Sequence, residues 1–258
     1  MVRKRQIFQS IFIEYIGNPT VSVSVDGTEV YSKQLPSNSV RKTRRVLLPD
    51  TAIGYVADIQ TTGSSVMRHS FQSTPDSQFS QQQIFQGFEV TFTGSVKLKL
   101  TLDGIDKNVN ETATSVTLAQ RKTRTQDTRR VYYPPLSYGY IPHLEQEDIT
   151  TISGEVVQFR PIALPLRFSR GLRYHSEVQV TYQGEVFVNL YVDGNKIDEA
   201  YFFESPDNPD QFITEKKLLT KDVRGHVFQW VQTKGDGEVA VFETDTTLLD
   251  QDPPAQEV

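Results

Sequence analysis

The stretch Val186-Phe187-Val188-Asn189-Leu190-Tyr191-Val192-Asp193-Gly194 decides how the rest of the chain is read. Val186, Val188, Leu190 and Val192 alternate with Phe187, Asn189 and Tyr191, and side chains along a strand point to opposite faces with period two. The stretch therefore predicts a strand with at least one apolar face. Asp-Gly at its end is a hairpin signal, because both residues tolerate the positive φ of a type I′ turn. The pattern occurs twice earlier: Val21 to Val25 runs into Asp26-Gly27, and Val96 to Leu102 runs into Asp103-Gly104. Each copy follows a second strand that ends in aromatic-x-Gly: Tyr15-Ile16-Gly17, Phe92-Thr93-Gly94 and Tyr182-Gln183-Gly184. From that Gly to the turn Gly the step is ten residues in all three copies, which predicts an internal repeat.

Around these anchors the chain divides into residues 1–76, 77–163 and 164–248, with an acidic tail at 249–258. In the first unit, Arg44-Arg45-Val46-Leu47-Leu48-Pro49 reads as a strand, and Gly54-Tyr55-Val56 opens the next. Their counterparts are Arg129-Arg130-Val131-Tyr132 with Gly139-Tyr140-Ile141, then Lys216-Lys217-Leu218-Leu219 with Gly225-His226-Val227. The polar run Asp76 to Gln83 reads as a linker. Turn Gly to following Gly is 27 residues in the first unit and 35 in the second, with the extra length at Asn108 to Asp127, and Pro142 to Asp148 reads as a second insertion beyond it. Insertions in repeat proteins sit on loops and often on a binding face. Six or seven short strands per unit, with turn signals every 8 to 12 residues, predict tandem immunoglobulin-like β-sandwiches. No segment sustains a helical period.

Composition narrows the function. The chain has 258 residues and no Cys, which excludes disulfides and thiolate metal sites. No apolar run approaches the roughly 20 residues of a membrane helix. The basic start Arg3-Lys4-Arg5 is followed by a run broken at Gln9, Ser10 and Glu14, so no secretory signal is expected there. Net charge is −5, and the last 24 residues carry seven acids with no base after Lys234. The first 45 residues carry eight bases against three acids. Ends of opposite sign suit head-to-tail contacts between copies. The four His (His69, His143, His175, His226) are scattered, and no metal, phosphate-binding or nucleophile motif occurs. No catalytic, cofactor or metal residue is expected. Asp207, Asn208 and Asp210 lack the Gly and terminal Glu of a calcium loop and read as a turn. Asn110-Glu111-Thr112 is a formal glycosylation acceptor only.

Basic residues cluster ahead of corresponding strands. Arg41, Lys42, Arg44 and Arg45 lie ahead of one, Arg129 and Arg130 with Arg121, Lys122 and Arg124 ahead of the second, and Lys216 and Lys217 ahead of the third. These are the candidate interaction residues, for a protein partner or for acids of the same chain. The acidic balance and the lack of aromatic-basic interleaving argue against nucleic acid.

The recurring plan is a strand into Val-Asp-Gly, then a basic pair with an apolar strand, then Gly-aromatic-Val. In the third unit it closes with Gly235-Asp236-Gly237-Glu238-Val239. It resembles β-domains repeated in virion structural proteins of tailed bacteriophages, in the neck, tail or their attachments. The resemblance implies a non-enzymatic virion component, made in the host cytoplasm and present in several copies or a ring. It would bind neighbouring virion proteins, without cofactor or membrane. A second reading is a host-surface or carbohydrate-binding adhesin, with Tyr132, Tyr133, Tyr138 and Tyr140 as a sugar platform, although a Tyr-Tyr pair puts one ring on each face of its strand.

Overall fold

The computed structural model describes residues 4–76, 81–111, 113–122, 124–147, 153–164, 172–204 and 211–248. Strand makes up 72% of the described residues and no helix occurs among them, so the chain is all-β with antiparallel sheets. Residues 77–80 of the expected linker Asp76 to Gln83, the turn at 207–210 and the tail 249–258 lie outside the described residues, while Gln83 already opens a strand.

The first seven strands are β1 (Gln6–Gly17), β2 (Thr20–Val25), β3 (Thr28–Gln34), β4 (Asn38–Leu47), β5 (Ile53–Gly54), β6 (Ala57–Thr62) and β7 (Val66–Pro75). β1 is the centre of one sheet and pairs with β4, β5 and β7, while β2 is the centre of another, between β3 and β6. The scheme recurs in β8 (Gln83–Thr93), β9 (Ser95–Leu102), β10 (Ile105–Lys107), β11 (Val116–Ala119), β12 (Asp127–Tyr132), β13 (Tyr138–Gly139), β14 (Pro142–Glu147) and β15 (Glu155–Leu164). Here β8 pairs with β12, β13 and β15, and β9 with β10, β11 and β14. A third round follows in β16 (Arg173–Gln183), β17 (Val186–Val192), β18 (Asn195–Phe202), β19 (Ile213–Gly225), β20 (Phe228–Lys234) and β21 (Glu238–Leu248). β16 lies between β19 and β21, and β17 between β18 and β20.

Each pair of sheets closes on one apolar cluster. Ile11, Ile13 and Tyr15 of β1 meet Val21, Val23 and Val25 of β2. Phe88, Val90 and Phe92 meet Val96, Leu98 and Leu100 in the second cluster, and Val178, Val180 and Tyr182 meet Val186, Val188 and Leu190 in the third. Full burial of one such side chain contributes about 1.5–3 kcal/mol. Alternation alone produces these faces: β2 is buried at every second residue, as Val-Ser-Val-Ser-Val requires.

The strand order departs from the immunoglobulin arrangement, in which the first two strands share a sheet. Here the first two strands of each unit are the centres of opposite sheets. Gly17, Gly94 and Gly184, at φ +81°, +65° and +74°, carry the chain across from one sheet to the other. Only Gly adopts that backbone without a Cβ penalty. Strand count and turn spacing predict the number of strands and not their lateral order. The insertion at Asn108 to Asp127 also departs from a plain loop. It splits the edge strand beside β9 into β10 and β11, with a bulging segment between them.

Candidate functional site

The turn residues come first, because they set the ends that the units present to one another. Asp26, Asp103 and Asp193 have φ of +49°, +54° and +49°, and Gly27, Gly104 and Gly194 follow at +83°, +77° and +79°. The hairpins are thus left-handed at both central positions, as a type I′ turn requires. The aspartates do more than turn. Asp26 accepts hydrogen bonds from the backbone N–H groups of Tyr55 (3.1 Å) and Val56 (2.9 Å). Asp103 does the same for Tyr140 (2.9 Å) and Ile141 (2.7 Å), and Asp193 for His226 (3.0 Å) and Val227 (2.8 Å). Burial pushes the Asp193 carboxyl up, but the two N–H bonds and His226 outweigh it and hold it below its ordinary range. The Gly of each Gly-aromatic-Val segment follows from this clasp. A Cβ on Gly54 would lie 2.4 Å from the Asp26 carboxylate, and one on Gly225 would lie 2.0 Å from Val192.

Of the basic candidates, Arg41, Lys42 and Lys216 are exposed, and the others do not form an open surface. Arg44, Arg45 and Arg129 are buried, each between its own unit and the next. Arg44 Nη2 donates to the Gly154 carbonyl at 3.0 Å, and Arg129 Nη1 to the Gly237 carbonyl at 3.3 Å. Pairing makes these equivalent: Arg44 lies opposite Ile13 and Arg129 opposite Val90, and Gly154 and Gly237 each open a Gly-Glu-Val segment. Arg45 stacks over Phe12 (4.3 Å) and Phe159 (5.5 Å), and Arg130 over Trp230 (5.6 Å) while reaching the Ala240 carbonyl (3.5 Å). Cation–π contacts of this kind strengthen when water is excluded. Burial pushes the Arg45 and Arg129 guanidinium groups below their usual range, against Glu155 and Asp127 respectively. Lys42 adds an ion pair to Glu155 at 3.8 Å. Arg41 pairs with Glu14 of its own unit.

Apolar side chains complete both junctions. Leu47 of β4 joins the core of the second unit, and Tyr132 of β12 joins the core of the third, with its ring 5.0 Å from Trp230. Tyr133, the next residue, turns into the second core. The Tyr-Tyr pair therefore faces two different units, while Tyr138 and Tyr140 are exposed. Around the clasp turns at Asp103 and Asp193 the preceding unit covers the one that follows. Asp50 accepts from Thr101 Oγ1 (3.2 Å), and the His143 side chain beside Thr101 is buried. In the second junction Leu136 N–H donates to Gln229 (2.8 Å). His143 pairs with Thr101 and Gln229 with Tyr191, which places them at the same position.

The second junction is larger in polar contacts, because the insertion docks there. Glu111, held at φ +78°, accepts from Asn189 (2.9 Å) and from the Tyr191 hydroxyl. Asn110 bonds the Tyr132 backbone through both its side chain and its own N–H, each at 3.0 Å. Asp127 is buried and pairs with Arg121 (3.3 Å), Arg124 (3.2 Å) and Arg129 (3.3 Å). Arg121 and Arg124 continue to Glu238 at 3.4 and 2.6 Å. Desolvation pushes the Asp127 carboxyl up, but the Arg121 N–H and the Arg129 and Arg121 guanidiniums outweigh it and lower its pKa.

Lys216 and Lys217 depart from the expected correspondence. In the pairing register Lys216 lies opposite Gln179, the position that Arg45 and Arg130 occupy opposite Phe12 and Glu89. Glu215, opposite Val180, stands where Arg44 and Arg129 stand, and Leu218 where Leu47 and Tyr132 stand. The basic pair is thus shifted by one residue. Lys216 pairs with Glu177 (2.6 Å) and Lys217 with the Glu199 carbonyl, both inside the third unit. Sequence reasoning missed the Asp clasp, Glu155, Asp127 and Glu238. The repeated Gly-Glu-Val was the available signal for two of them. No protein-family model, no curated protein and no solved structure matches this chain.

Proposed function

We propose that the chain is a non-enzymatic structural component of a tailed-phage particle, in the tail or neck region, built of three tandem sandwiches of immunoglobulin-like size that bind neighbouring virion proteins. One observation carries this reading: the basic strand ends serve to dock one unit on the next, twice over and with equivalent residues. Such a chain is a spacer with a fixed pitch, and its useful surfaces are its ends and outer faces. Fold alone does not give function, so the argument rests on where the charged side chains are spent. The test is proteomics of purified particles followed by cryo-electron microscopy. The chain is expected as stoichiometric density at the neck or tail. Its absence from purified particles overturns the reading.

The adhesin reading keeps one supporting observation. Tyr201 and Phe203 are exposed beside Phe187, with ring centroids 5.2 and 6.1 Å from it. Retention on a glycan array that Tyr201→Ala abolishes would favour that reading over a purely structural one.

A further inference from the structure

The two junctions inside the chain define a donor edge and an acceptor end, and among the described residues one of each has no unit docked on it. The donor edge is the strand that carries Leu47 in the first unit, Tyr132 in the second and Leu218 in the third. Leu47 and Tyr132 are 4% and 0% exposed, whereas Leu218 is 72% exposed. The geometry around it is kept: Leu47 to Gly54, Tyr132 to Gly139 and Leu218 to Gly225 each span seven residues. In all three units that segment bulges away from its pairing strand.

The acceptor end is the clasp turn with the strands beside it. A Cβ on Gly104 would meet Asp50 at 3.8 Å and one on Gly194 would meet Leu136 at 2.8 Å, both from the preceding unit, whereas one on Gly27 would meet nothing within 4 Å. His143 and Gln229 are buried by the preceding unit, and their counterpart Asp58, opposite Ser24, is exposed. Met67 on the acceptor strand is 44% exposed.

The two free ends are altered together. Inside the chain an Arg of the donor edge meets a Gly-Glu of the acceptor. At the free ends the donor carries Glu215 in place of that Arg, and the acceptor carries Ser64-Ser65 in place of Gly-Glu, followed by the exposed Arg68. Glu215 has no proton to donate to a glycine carbonyl, and Ser65 offers the internal arginines no carboxylate. Neither free end therefore competes for the internal partners, which is how an array suppresses misdocking between its own units. Glu215 accepts from the Tyr182 hydroxyl at 2.7 Å and Ser64 Oγ donates to Asn18 at 3.2 Å within their own units, so the groups the two ends set against each other are the second Glu215 oxygen, the Ser65 hydroxyl and the Arg68 guanidinium.

We infer that the donor edge of the third unit, centred on Leu218, docks on the acceptor end of the first unit of a second copy of this chain, head to tail. This rests on the assembly reading above and names its partner. A heterologous contact of this kind closes into a ring or runs on as a filament, according to the rotation per copy.

The test uses the absence of cysteine. Leu218→Cys and Met67→Cys variants of the full chain are mixed and treated with a short bis-maleimide. A covalent dimer is expected from the mixture and from neither variant alone. Sedimentation of the unmodified chain is expected to show mass rising with concentration. Leu218→Asp should weaken that association at least tenfold while leaving the melting temperature unchanged, since the side chain is exposed. A dimer from Leu218→Cys alone means two-fold pairing of donor edges and overturns the inference, as does a chain that stays monomeric at every attainable concentration. A monomeric chain that is still found in purified particles leaves the structural role standing and removes only the second-copy contact.

Discussion

The two junctions within the chain solve one packing problem with different chemistry. Both bury an arginine against a glycine carbonyl and a large apolar side chain in the next core. The first then relies on stacking, and Arg45 buries Nε and Nη1 without a hydrogen-bond partner among the described residues. The second adds an ion network through Asp127 and Glu238 and the docked loop at Glu111. The difference shows what an insertion does in a tandem array: here it lies against the neighbouring unit and thickens the contact. It also predicts that the second and third units move as one body and that the first is the easier to release.

The largest test of that contrast removes the centre of the ion network. Asp127→Ala leaves Arg129 buried without its carboxylate, and breaking one partner of a buried pair costs about 3–5 kcal/mol. Denaturant unfolding should then show the third unit separating from the second. A loss below about 1 kcal/mol would mean that the network does not hold the junction.

Acid should act on the first junction before the second. Burial lowers the pKa of His143 from 6.5 to about 4, against the Asp50 charge. Between those pH values the unfolded chain binds a proton that the folded one does not, so stability falls as pH drops from about 6.5 to about 4. The shift corresponds to roughly 3 kcal/mol at most. Its counterpart Gln229 does not titrate. Unfolding midpoints measured across this range should slope for the parent chain and flatten for His143→Gln. Equal slopes would remove His143 as the cause.

Arg44→Met tests the shared contact. A hydrogen bond from a charged group contributes about 1.5–3 kcal/mol. The loss should appear as earlier hydrogen exchange in β1 to β7 with β16 to β21 unchanged. Uniform loss across the chain would contradict separate junctions. Reversing Arg44 and Arg45 to Glu is expected to lower the melting temperature as well, because both side chains are buried.

The smallest effect compares turns. Gly27→Val meets no neighbour within 4 Å and should cost only the left-handed backbone strain, about 1–2 kcal/mol. Gly194→Val meets Leu136 as well and should cost more. Equal melting shifts would mean that Leu136 yields freely.

The strands, their apolar faces and the three left-handed turns were legible in the sequence. Each depends on residues that are neighbours along the chain: Val-Ser alternation sets a face, and Asp-Gly sets φ. The strand order, the one-residue offset of Lys216, the clasp from Asp193 to Val227 and the fate of the arginines were not. Basic pairs alike in charge lie buried at Arg44-Arg45 and stay within one unit at Lys216-Lys217 because their surroundings come from strands more than a hundred residues away in one case and from the same unit in the other. Local geometry is fixed by short-range sterics, whereas burial and pairing depend on which distant segment is packed opposite, and only the assembled sheets decide that.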